Sequence, residues 1–166
     1  MRYVKAQGVE EGEFYYFEID ADRIAYRQIV VMDEQQVMTS IAPHFHLNEK
    51  AIDFLIDDEW IDKNEFEVLW NKAIEPYRKE WNQAKQQYGP GRRVKGAIVM
   101  FYPQGIIIKI SDTVFAVAND EEVRSQAKAE NLYPGYEIHG TIRAYDEDNF
   151  WLVLKDCNMT GEKFSG

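Results

Sequence analysis

"GRRVKGAIVMFYPQGIIIKISDTVFAVAND", residues 91–120, decides how the second half of the chain folds. Val94, Gly96, Ile98 and Met100 alternate with Lys95, Val99 and Phe101, the period-two pattern of a strand with one buried face. Pro103 and Gly105 follow as a turn signal, since proline presets its φ and glycine accepts backbone conformations that other residues avoid. "GIIIKI" (105–110) and "TVFAVA" (113–118) read as two further short strands, broken at Ser111-Asp112.

Downstream, residues 119–134 form a longer connection with room for a helical turn. "GYEIHGTIRAY" (135–145) and "NFWLVLK" (149–155) form a hairpin across Asp146-Glu147-Asp148. Five short strands with one long link between the third and fourth predict a five-stranded β-barrel of OB type over residues 89–157. Residues 158–166 are expected to be a frayed tail.

The first half opens with strand patterns of its own. "EFYYFEID" (13–20) and "RIAYRQIVVM" (23–32) are rich in aromatic and β-branched residues, "DEQQ" (33–36) reads as a turn, and "VMTSIA" (37–42) returns. Together they predict an antiparallel β-meander stopped by Pro43. Residues 62–88 carry a helical pattern. Asp62 can cap it, Glu65 completes a capping box, and Phe66, Leu69, Trp70, Ala73, Ile74, Tyr77, Trp81, Ala84 and Tyr88 recur every three or four residues. Pro76 removes an amide and should kink or split this helix. "YGPG" (88–91) is a strong breaker, so residues 1–88 are expected to form a first domain. The predicted class is α+β: a β-meander with a long kinked helix, then the barrel.

The 166 residues carry a net charge of −10. Residues 1–86 hold 10 Lys and Arg against 18 Asp and Glu, and residues 87–166 hold 9 against 11. Such a chain is repelled by phosphate backbones and membrane surfaces unless its basic residues cluster. Cys157 is the single cysteine, so no internal disulfide forms. With no apolar signal core at the start and no run approaching a membrane span, a cytoplasmic location away from membranes is expected.

Over residues 87–156 the chain resembles the ribosomal S-one-type RNA-binding domain, an OB barrel. Gly91, Val94, Gly96, Ile98 and Gly105 match the pattern of its first two strands, and Gly135, Ile138, Ile142, Asp146, Leu152 and Leu154 match its last hairpin. The resemblance implies RNA bound on the face of strands two and three, by aromatic stacking and basic contacts to phosphates. The chain departs from that family at Ile107, which stands where an aromatic is expected. It departs again at Asn119, in the place of a His, and at Phe150-Trp151, in the place of a basic pair.

The nucleic-acid-binding candidates are therefore Lys95, Phe101, Tyr102, Lys109, Phe115 and Asn119. Period two places Ile107, Lys109, Phe115 and Val117 outward, with Lys95 and Phe101 sharing the outward face of the first strand. The expected function is non-enzymatic binding of RNA or single-stranded nucleic acid, weak, salt-dependent and translation-associated. The alternative is an acidic interaction module, regulatory or immunity-type. Its degenerate barrel would no longer bind RNA, with Phe101, Ile107 and Phe115 covered and a basic protein as partner.

Other constellations carry less. His44 and His46 lie two apart, but a structural zinc site needs four ligands. Asp57, Asp58 and Glu59 lack the spacing of a calcium loop and read as a solvated loop. His139 falls on the polar face of its strand. No phosphate loop, nucleophile elbow or Cys–His pair is present, so no catalytic residue, metal or cofactor is assigned.

Overall fold

The computed structural model describes residues 1–33 and 36–166. It is a mixed α+β structure that divides into two units, Met1–Tyr77 and Arg78–Gly166.

The first unit holds five strands: β1 (Arg2–Gln7), β2 (Phe14–Ile19), β3 (Ala25–Met32), β4 (Gln36–Thr39) and β5 (Glu59–Ile61). They form one antiparallel sheet in the order β4-β3-β2-β1-β5. The expected meander is β2-β3-β4, and β1 and β5 extend it on the far side. The turn expected at Asp33–Gln36 includes Glu34 and Gln35, which lie outside the described residues.

Alternation sorts this sheet into two faces. On one, Val4, Phe17, Ile19 and Ala25 pack with Ile52. The other carries a cross-strand row, Tyr3–Glu18–Arg27, set by the β1–β2 and β2–β3 registers. Helix α1 (Lys63–Ile74) packs on that row through Phe66 and Trp70, both 0% exposed. The Phe66 ring lies 5.1 Å from that of Tyr3. Its start is as expected, since the Asp62 side chain accepts from the Glu65 amide at 2.8 Å.

The helical run is interrupted where Pro76 stands, by a 3₁₀ turn over Glu75–Tyr77, and the division between units falls there. Helix α2 (Arg78–Gln87) therefore belongs to the second unit.

The second unit contains β6 (Arg93–Tyr102), β7 (Gly105–Lys109), β8 (Phe115–Ala118), helix α3 (Asp120–Gln126), β9 (Tyr136–Asp146) and β10 (Trp151–Lys163). The five strands close into a ring in the order β10-β8-β7-β6-β9. Every neighbouring pair is antiparallel except β8 with β10. Ile98, Ile106, Ile108, Ala116, Ile138, Ile142 and Leu152 fill its core, none more than 1% exposed.

Two glycines permit tight approaches in the ring. A Cβ on Gly96 would lie 2.2 Å from the Lys109 carbonyl oxygen, and one on Gly105, at φ +149°, would lie 2.3 Å from that of Ala118. The tail expected from residue 158 is instead paired as far as Lys163, which lies opposite Tyr136. No helix among the described residues is long and apolar enough to cross a membrane.

Candidate nucleic-acid interface

A bulge decides where the candidates of β6 point. Ile98 lies opposite Ile108, but Met100 lies opposite Ile107, so Val99 is the extra residue. Beyond it the parity of β6 is inverted. Tyr102 joins Met100, opposite Gly105 and Ile107, while Phe101 pairs with Ile106 on the other side. The expectation that Lys95 and Phe101 share one face is therefore corrected: Lys95 precedes the bulge and Phe101 follows it. Phe101 is 39% exposed, with the Arg124 guanidinium 5.7 Å from its ring centroid.

The face around Ile107 does not form an open stacking surface. Ile106, Ile107 and Ile108 are each 0% exposed. Val117, opposite Ile107, is also buried. Tyr102 is half-buried, its ring 5.9 Å from that of Trp151, and burial raises the pKa of its hydroxyl above the ordinary 10.0. Phe115 is half-buried beside Lys109, its cross-strand partner. Lys109 is exposed and pairs with Asp112 at 3.3 Å.

Asn119 has a structural task. Its side-chain oxygen accepts from the Glu122 amide at 2.9 Å and caps α3. The signal lay in the sequence, where Asn119 precedes Glu122 by three residues.

Phe150 and Trp151 are occupied in packing. Helix α2 lies against the β9–β10 turn, with the Trp81 ring stacked on Phe150 at 5.5 Å and edge-on to Tyr145 at 5.7 Å. Glu147, in that turn, accepts from Trp81 Nε1 at 3.0 Å and from Lys85 Nζ at 2.9 Å. The Tyr145 hydroxyl donates to the Tyr88 carbonyl at 2.7 Å.

A second outer face, on β6, β9 and β10, has a different composition. The registers create two rows across three strands, Arg93–Thr141–Lys155 and Lys95–His139–Asn158. Arg93, Lys95, Lys155 and Asn158 are exposed, while Val94, Gly96, Ile138, Gly140, Ile142 and Leu154 point inward. Arg93 is held in place by Thr141 Oγ1 at 3.1 Å, the Asp156 carbonyl at 2.7 Å and Asn158 Oδ1. Of this set only Lys95 and His139 stand out from sequence. Period two also turns Arg93 outward, but its union with Lys155 depends on a bulge in β9, where Arg143 is the extra residue and Lys155 comes to face Thr141; a second bulge, in β10, sets Asn158 opposite His139.

Among the described residues no group of three or more His, Cys, Asp or Glu is placed to hold an ion. Burial, and secondarily the charge of His46, lowers the pKa of His44. The Cys157 thiol is 1% exposed, and burial pushes its pKa up to about 12, which makes it a poor nucleophile. No family model matches the chain, and no curated protein matches it.

Proposed function

We propose that the second unit is an OB-type barrel similar to the S-one RNA-binding domain, and that the protein binds RNA or single-stranded nucleic acid without catalysing a reaction. The observation that carries the reading is the strand order. Three strands run as a meander, a helix follows the third, the fourth returns to the first, and the fifth closes the ring in parallel with the third. Five-stranded Greek-key barrels of this connectivity commonly bind oligonucleotides on their outer strands. Charge supports the same reading: Arg78–Gly166 holds 12 Lys and Arg against 12 Asp and Glu, so the whole excess of −10 belongs to Met1–Tyr77. Fluorescence anisotropy of the full chain with labelled mixed-sequence RNA at low salt tests it. Binding that weakens steeply with added salt is expected, and a flat titration at low salt ends the reading.

One observation favours the alternative, a module that docks a basic protein. In the first unit Phe54, Leu55, Ile56 and Trp60 are 40%, 62%, 97% and 47% exposed, among Asp53, Asp57, Asp58 and Glu59. The Arg2 guanidinium lies 4.9 Å from the centroid of the Trp60 ring, the kind of contact a basic partner would make. Exchanging Leu55 and Ile56 for Ser would abolish such docking. Wild-type protein that binds RNA at low salt would count against this alternative, in which the barrel no longer does.

A further inference from the structure

We infer that a single-stranded nucleic acid lies across the outer face of β6, β9 and β10, held through its phosphates by Lys95, Lys155 and Arg93, and not on the β7–β8 face. This rests on the RNA-binding reading above and assigns its site.

Three observations meet here. The β7–β8 face lacks a free stacking surface, because Ile107 is 0% exposed and Lys109 already pairs with Asp112. On the β6–β9–β10 face the cations are uncompensated. Among the described residues no carboxylate lies within ion-pairing distance of Lys95 or Lys155, and Arg93 is bound only by neutral oxygens. Elsewhere in this neutral unit acids neutralise bases locally, Asp120 holding Arg124 at 2.7 Å and Glu147 holding Lys85 at 2.9 Å. Arg93, Lys95 and Lys155 thus gather on one sheet face, whose carboxylate Glu137 lies 3.5 Å from His139.

The geometry suits an extended polyanion. Arg93 and Lys95 are two residues apart on one strand, a step of about 6.7 Å, comparable to the spacing of successive phosphates in an extended single strand. Lys155 lies in the Arg93 row, two strands over, and would contact the backbone from the side. Thr141 and Asn158 lie in the same two rows and, besides accepting from Arg93, add polar groups between the cations, whereas His139 Nε2 is buried 3.5 Å from Glu137. No exposed aromatic belongs to these rows, so base stacking contributes little and sequence preference should be weak.

The test uses the full chain and a labelled oligouridylate, with affinity measured across a salt series. The double variant Lys95→Gln with Lys155→Gln should bind at least about tenfold more weakly. Its salt slope should be shallower by about 1.4, two phosphate contacts at the single-strand value. Lys109→Gln should match wild type. Both lysines are exposed, so an unchanged melting temperature will show that the fold is intact. Tight, salt-sensitive binding by wild type that the double variant retains and Lys109→Gln loses would overturn this placement while leaving RNA binding standing. No binding by wild type would overturn the functional reading, and the placement with it.

Discussion

Arg27 holds Glu18 with two parallel hydrogen bonds, Nε to Oε1 at 3.0 Å and Nη2 to Oε2 at 2.7 Å, across neighbouring strands. Glu67 of α1 closes on the same guanidinium at 2.5 Å, and the rings of Phe66 and Trp70 lie 5.0 Å and 5.1 Å from it. Burial opposes the charge on Arg27, but the hydrogen bonds and charges of the two glutamates outweigh it and raise the pKa. Arg27→Ala leaves the Glu18 side chain, 12% exposed, without its partner. The expected cost is about 3–5 kcal/mol in urea denaturation. Arg27→Lys should recover little of it, because an ammonium cannot make the bidentate fork. A loss near zero for Arg27→Ala would show that the network is dispensable.

Ile107→Phe adds volume at a position with no exposed surface. The expected result is destabilisation of about 1–3 kcal/mol from overpacking, with RNA affinity no tighter than wild type. An affinity gain at unchanged stability would mean that the β7–β8 face is open.

Gly96→Ala places a methyl group 2.2 Å from the Lys109 carbonyl oxygen and 2.9 Å from Ile108. The strands must shift, at a cost of at least about 1–3 kcal/mol. Gly89→Ala is the control, since a Cβ there meets nothing within 4 Å. It should be neutral or slightly stabilising. Equal melting temperatures for the two variants would refute the steric account.

Glu147 gives the second unit a pH dependence of known sign. Burial alone would raise its pKa, but the hydrogen bonds from Lys85 and Trp81 and the charges of Lys85 and Arg78 hold it below 4.5. The folded state thus binds this proton more weakly than the unfolded chain. Its stabilisation is present above the unfolded pKa and fades as pH falls through the folded one. Wild type should melt above Glu147→Gln at neutral pH, and the gap should close as the pH falls below the ordinary carboxylate range. The side chain is 55% exposed, so the gap is modest and shrinks with salt. A gap that is constant with pH would assign the effect to packing.

What sequence could show follows from how local each signal is. The cap at Asp62, the break at Pro76 and the strands around Gly96 and Gly105 are signals a few residues long, and each appears where expected. β5 is only three residues long, and β1 has its six residues at the chain start, so neither rises above its surroundings. Arg27, 4% exposed, lies in an apolar run whose pattern does not reveal that two distant glutamates come to meet it. The site depends on parity, and bulges in β6, β9 and β10 change parity without any residue type that announces them. Period two alone therefore puts Phe101 on the face of Lys95 and leaves Arg93 and Lys155 apart. Asn119 is ambiguous for another reason, because a capping residue and a ligand-binding one can share the same amide side chain.

β10 is the last strand of the ring to leave the ribosome, yet it is the one that pairs with both β8 and β9. Until residues 151–155 emerge, β8 and β9 each present an unpaired backbone edge, and the isoleucines of β7 have no closed core to enter. A chain cut short in the β9–β10 turn would therefore carry two adhesive strand edges at once, and truncation anywhere within Asp146–Phe150 should give aggregated rather than folded protein.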